Sequence, residues 1–177
     1  ALDAGIASAE IGLSILDKTP LPPERREYSL YYALGIYYRQ KGELLESRGL
    51  TGEAQKYFEK AVEQGLRATS AAAWINNVRR QKILSRSGSS AMPADEDARL
   101  YIPVVYSYIK LKNWVKVREF SALLQQFAPS DANGYYLAAI GDANTANYEL
   151  SVIENLAAVL LKPTDPELHR NLGNNLL

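Results

Sequence analysis

Tyr31-Tyr32-Ala33-Leu34-Gly35-Ile36-Tyr37-Tyr38, followed by Ala54-Gln55-Lys56-Tyr57-Phe58-Glu59-Lys60-Ala61, is the stretch whose reading decides the fold. In the first segment Tyr31, Leu34, Gly35 and Tyr38 recur at three- and four-residue intervals, which places them on one helical face. Ala54, Phe58 and Ala61 do the same on a second helix. Gly35 falls inside the first helix, where glycine costs about 0.8–1 kcal/mol relative to alanine. A glycine there calls for a packing reason, namely close approach of the neighbouring helix. Further along, Tyr101, Tyr135 and His169 lie 34 residues apart in succession, and Pro129 and Pro163 share that interval. A fixed period of this length is the mark of stacked two-helix units, each burying its apolar face against the next.

These residues resemble the tetratricopeptide repeat, in which an aromatic, Leu-Gly and Tyr lie on one helix and Ala and Phe on its partner. The resemblance implies an all-α fold: a right-handed superhelix of stacked antiparallel helix pairs, an α-solenoid of about nine helices. The chain departs from the pattern in two places. The Ala-x3-Phe block begins at Ala54, seven residues later than in a standard unit, an excess close to two helical turns. Leu44 and Leu45 continue the apolar face, so the reading favours longer helices over a loop at Gly49 to Gly52. In the later units Ser121 and Asn155 stand where Phe is expected, and the match rests on Val104/Ala138/Leu172, Val105/Ala139/Gly173 and Leu124/Ala158.

The organisation follows. Residues 1–20 are expected to be the trailing helix of an earlier repeat, with Ile6, Ala9, Leu13 and Leu16 on one face. Residues 23–66 form the lengthened repeat, opened by Pro20-Leu21-Pro22-Pro23, since proline suits a first helical turn but not an interior. Residues 69–94 are expected to be a degenerate repeat: one helix over 69–84 with Ala71, Trp74, Ile75, Val78 and Ile83 inward, then a flexible Ser/Gly/Pro-rich loop over 85–94. Regular repeats follow at 95–130 and 131–164. Residues 165–177 read as the first helix of an incomplete repeat, begun by a Thr164-x-x-Glu167 capping box with Pro166 in its first turn. An opening at Ala1 and the unpaired helices at both ends are expected of a fragment.

Composition narrows the function. Lys+Arg and Asp+Glu number 20 each, a formal net charge of zero. That argues against a phosphate backbone as the main partner, because nucleic-acid domains carry a basic excess. The local cluster of Arg79, Arg80, Lys82 and Arg86 reads as a solvated outer face. With no cysteine there is no disulfide, zinc-thiolate site or thiol catalysis. No apolar run reaches the ~18–20 residues that span a bilayer, and no secretory signal is seen, so a soluble domain of unassigned compartment is expected. Arg86-Ser87-Gly88-Ser89-Ser90 matches neither phosphate-loop pattern, and neither a nucleophile elbow nor Ser-x-x-Lys occurs. His169 is the single histidine; it stands where the repeat puts an aromatic and is expected to pack against the preceding hairpin. Asp95-Glu96-Asp97 reads as a helix start. No cofactor and no metal is expected, and this segment is not expected to be an enzyme.

The resemblance also implies a binding surface. In the family, a concave groove is lined by first-helix residues one, five, eight and nine positions after the leading aromatic. Those positions hold Tyr32, Ile36, Arg39 and Gln40; Ile102, Tyr106 and Lys110; Tyr136, Ile140 and Asn144; and Arg170 and Asn174. Tyrosine in such a place offers a large rigid surface with a polar tip. Arg170 and Asn174 have the spacing of half a carboxylate clamp, but the matching Tyr32/Ile36 and Ile102/Tyr106 are not clamp residues. The expected function is a non-catalytic protein-protein interaction scaffold that binds a peptide segment in a tyrosine-lined groove. The alternative is an assembly or substrate-docking domain of a larger enzyme or membrane protein. Self-association through exposed repeat ends is a third expectation.

Overall fold

The structure is a computed structural model that describes residues 2–18, 28–87 and 98–176, with the backbone alone for Asp17 and for 73–87. The described residues form α1 (Leu2–Lys18), α2 (Tyr28–Ser47), α3 (Thr51–Ser87), a 3-10 turn at Ala98–Leu100, α4 (Tyr101–Lys110), α5 (Trp114–Phe127), α6 (Ala132–Asn144), α7 (Tyr148–Leu161) and α8 (Pro166–Asn175). No strand occurs among them, and none of these helices is long and apolar enough to cross a membrane. The chain falls into two compact units, Ala1–Ser107 and Tyr108–Leu177.

In the first unit Ile6, Ala9 and Leu13 of α1 pack with Leu34 and Tyr38 of α2 and Ala61 of α3. The packing reason for Gly35 is visible: a Cβ there would sit 3.3 Å from the Ala61 carbonyl oxygen and 3.4 Å from the Gly65 nitrogen. The backbones of α2 and α3 meet at this point. The seven extra residues lengthen the helices, because only residues 48–50 separate α2 from α3. Gly49 takes φ +78°, the Gly49 N–H donates to Glu46 O and the Leu50 N–H to Leu45 O. This pair of bonds is the Schellman motif, which satisfies the last carbonyls of a helix through one left-handed residue.

Three expectations are corrected. The sequence divides 23–66 from 69–84, yet α3 runs through without a break. Ala68 and Thr69 are buried and keep the helical period. Gly65 is not a helix end: a Cβ there would lie 2.4 Å from Val104 Cγ2, so the glycine admits a neighbouring side chain. Of the loop expected over 85–94, residues 85–87 close α3 and the remainder lies outside the described residues, as do Asp95-Glu96-Asp97 and the side chains of Trp74, Ile75, Val78, Arg79, Arg80, Lys82, Ile83 and Arg86. The cap of α8 is Asp165 rather than Thr164; its side chain accepts from the Glu167 N–H, with Pro166 following. An Asx carboxylate at this position reaches the free N–H groups of the first turn.

The second unit repeats its small devices at the 34-residue interval. Asp131 and Asp165 cap α6 and α8. Lys112 and Ala146, at φ 54° and 60°, turn the chain after α4 and α6, and each turn carries the same two Schellman hydrogen bonds. The Tyr135 hydroxyl donates to Pro129 O at 3.1 Å, and His169 Nε2 lies 2.8 Å from Pro163 O. A carbonyl can only accept, so Nε2 carries the proton. His169 is exposed and works through its polar tip, not through aromatic burial as expected; histidine stands in for tyrosine here because each reaches the proline carbonyl six residues before it.

Candidate partner-binding surface

In the first unit the residues at the implied binding positions come from α2 and the start of α4. Tyr32, Ile36, Arg39, Ile102 and Tyr106 are half-buried and Gln40 is exposed. The structure brings two of them together: the Arg39 guanidinium lies over the Tyr106 ring, 5.9 Å from its centroid. At that distance a cation is held by the negative face of the ring. Arg39 also pairs with Glu43 one turn along α2. Its Nε is buried without a hydrogen-bond partner among the described residues.

In the second unit Lys110 stands exposed at the end of α4, Tyr136 and Ile140 are half-buried on α6, and Asn144, Arg170 and Asn174 are exposed. Tyr136 and Arg170 meet on one carboxylate: the Tyr136 hydroxyl donates to Glu167 Oε1 at 3.2 Å, and Arg170 Nη2 lies 3.7 Å from the same oxygen. Asn144 donates its side-chain amide to Ile140 O at 2.8 Å in its own helix. A carboxylate clamp is poorly served by this arrangement, since Arg170 already faces an anion. Sequence reasoning left out Glu43 and Glu167, the acidic partners that orient the two arginines. Their signal was present as Arg39-x3-Glu43 and Glu167-x2-Arg170, spacings that place opposite charges side by side on a helix.

A further polar cluster went unread. Arg118 Nε of α5 lies 2.8 Å from Asp142 Oδ1 of α6, an ion pair without hydrogen-bond alignment at that oxygen. Gln125 of α5 donates to Glu154 of α7 at 2.8 Å. Burial, and then the neighbouring Asp142 carboxylate, push the Glu154 carboxyl above the ordinary range, against the pull of Gln125. No group of three or more His, Cys, Asp or Glu side chains suited to a metal ion occurs among the described residues.

Among solved structures, the chain is similar to the first TPR domain of the human RPAP3 protein. The TM-score is 0.55 and the identity 12%, over 82% of this chain and 91% of that one. The fold is a tetratricopeptide-like helical repeat. A further likeness, to MamA from Desulfovibrio magneticus RS-1 (residues 41 to the end), has TM-score 0.43 and 20% identity over 80% of this chain and 82% of that chain. No family model and no curated protein sequence matches.

The fold explains the burial at the positions where the motif fades. Ala54, Phe58 and Ala61 of α3, Val117, Ser121 and Leu124 of α5, and Ser151, Asn155 and Ala158 of α7 occupy the same three places, and each is at most 3% exposed. The tetratricopeptide-like geometry thus keeps its buried positions even where it has exchanged phenylalanine for serine or asparagine.

Proposed function

We propose that this chain is a non-catalytic protein-interaction module that holds a peptide segment against the first-helix face carrying Tyr32, Ile36, Arg39, Gln40, Ile102 and Tyr106, with Tyr136, Ile140, Asn144, Arg170, Asn174 and Lys110 as the corresponding positions of the second unit. The observation that carries the reading is the Arg39–Tyr106 contact, in which residues 67 positions apart in sequence meet face to ring. An arginine stacked on a half-buried tyrosine presents flat, rigid, mixed polar and apolar surface, the composition enriched at the centres of protein interfaces. The zero net charge supports a protein rather than a polyanion as the occupant.

Partner capture by cross-linking, peptide mapping and then calorimetric titration tests this reading. Tyr106→Ala should weaken binding of the mapped peptide by about 1–3 kcal/mol, as buried aromatic anchors do, with a smaller loss of melting temperature. Unchanged affinity for the Tyr106, Tyr32 and Tyr136 variants alike would reject the surface.

A further inference from the structure

The outward face of α7 is built unlike the same face of α3 and α5. Leu150, Ile153, Leu156 and Leu160 are 46%, 59%, 45% and 80% exposed. At the corresponding places α5 carries Lys116, Glu119, Ala122 and Gln126, with Lys116 and Glu119 ion-paired at 2.7 Å. On α3 those places hold Glu53, Lys56, Glu59 and Glu63, all exposed. The fold therefore has no need of apolar side chains here. Nor would a further hairpin stacked beyond α8 cover them. α5 is itself followed by a complete hairpin, α6 and α7, and its Glu119, Ala122 and Gln126 still face solvent.

We infer that the α7 stripe is a homodimer contact, in which α7 packs antiparallel on α7 of a second copy across a two-fold axis. Three observations select a second copy in this orientation. Leu150, Ile153, Ala157 and Leu160 are spaced three, four and three, the seam spacing with which one helix packs along another. Reversing the helix about its centre maps Leu150 onto Leu160 and Ile153 onto Ala157, so the stripe is complementary to itself, as an isologous contact requires. The ends carry opposite charge: Glu149 is exposed in the first turn of α7, and Lys162, just past the last turn, is 62% exposed beside Asp165. Antiparallel packing sets Glu149 against Lys162 of the other copy, whereas parallel packing would set like against like. A formal net charge of zero leaves no general repulsion between copies. The exposed apolar area, roughly 400–600 Å², is at the upper end of what a monomer shows and supplies more than half of the ~800 Å² that each partner of a standard interface buries.

Light scattering on the eluting chain and sedimentation equilibrium over roughly 1–100 µM, the range of modest interfaces, test the inference. The wild type should reach twice the monomer mass. Leu150→Lys/Ile153→Glu/Leu160→Gln, which gives α7 the residues α5 already carries, should be monomeric with unchanged circular dichroism. Glu149→Lys and Lys162→Glu should each weaken the dimer by about 2–5-fold, the yield of an exposed ion pair, and the double reversal should restore it. Tyr106→Ala should leave the mass unchanged, which separates this contact from the peptide-binding face. A wild type that stays monomeric, a dimer indifferent to the triple substitution, or a double reversal no better than the single ones would each overturn the proposal.

Discussion

In the α2–α3 hairpin the second helix buries Ala54, Phe58 and Ala61; in the α6–α7 hairpin the same face buries Ser151, Asn155 and Ala158. The first hairpin fills its interior with an aromatic ring and makes room with glycine, since a Cβ at Gly42 would come within 2.5 Å of the Phe58 ring. The second fills it with hydrogen bonds: Ser151 Oγ donates to Ala139 O at 2.8 Å and accepts from Asn175 Nδ2 at 2.7 Å, while Asn155 Nδ2 donates to Ser151 O at 3.0 Å. A second pair of positions shows the same exchange. Tyr38 faces Tyr57 with ring centroids 6.0 Å apart, and Tyr108 stacks on Phe120 at 5.5 Å. In the α6–α7 hairpin those places hold Asp142 and Glu154, tied to Arg118 and Gln125 of α5. One backbone geometry thus tolerates an apolar interior or a largely hydrogen-bonded polar one, and even leaves Ser121 Oγ and Asn155 Oδ1 buried without a hydrogen-bond partner among the described residues.

The largest effect should separate the two chemistries outright. Phe58→Ala opens a cavity in the first hairpin and should cost about 3–5 kcal/mol, measured by urea unfolding. Ser121→Ala, at the same place in α5, should be neutral or slightly stabilising, because its buried hydroxyl has no partner among the described residues. A large loss at Ser121 would break the comparison.

Next in size, Ser151→Ala removes the hydroxyl that joins α6, α7 and α8 and should cost about 1–3 kcal/mol. Chemical denaturation reads the loss, and Asn175→Ala in the same background should cost less than it does alone, since Asn175 Nδ2 donates to that hydroxyl.

The turns allow a finer comparison. Gly49 takes its left-handed conformation freely, whereas at Lys112 and Ala146 a side chain strains the same conformation by about 1–2 kcal/mol. Ala146→Gly and Lys112→Gly should each stabilise by about 0.5 kcal/mol, the strain relieved less the added freedom of the unfolded chain. A drop in melting temperature at both sites would contradict the account of these turns.

The smallest effect concerns Glu154. Its carboxyl is raised above the ordinary range by burial and by Asp142, so the native state takes up this proton before the unfolded state does. This group's contribution to stability therefore rises as pH falls through the raised value and levels off below the unfolded one. Glu154→Gln should increase stability at pH 7 and remove that part of the pH dependence, as thermal melts across pH 4–8 would record.

The sequence displays the fold where a residue type is demanded by backbone geometry. Gly35 was readable because a side chain there would crowd the backbone of α3, and the 34-residue interval was readable in Pro129, Tyr135, Pro163 and His169 because they form one recurring hydrogen bond. Continuity of α3 was hidden, since Gly65 serves a contact with Val104 and a glycine does not announce which of its uses applies. The polar interiors of α5 and α7 were likewise hidden: Ser121 and Asn155 look like a fading motif until their burial is seen. At the candidate surface the positions of Arg39 and Tyr106 followed from the resemblance, but their contact joins distant segments and required the structure. The α7 stripe was hidden as well, since apolar residues at helical spacing do not show which face of a helix is buried.

Asp131 and Ala146, the start and the turn of the α6–α7 hairpin, lie within its own 34 residues, while its fastening runs from Tyr135 back to Pro129, with Pro163 and His169 repeating that step at the next junction. A tandem duplication of residues 131–164 would consequently arrive with its cap, its turn and its fastening already in place, and the junction would reproduce the native Thr164-to-Asp165 step as Thr164-to-Asp131. The new seam would lack one bond of the native one, because Gly141 stands 34 residues before the Asn175 that donates to Ser151.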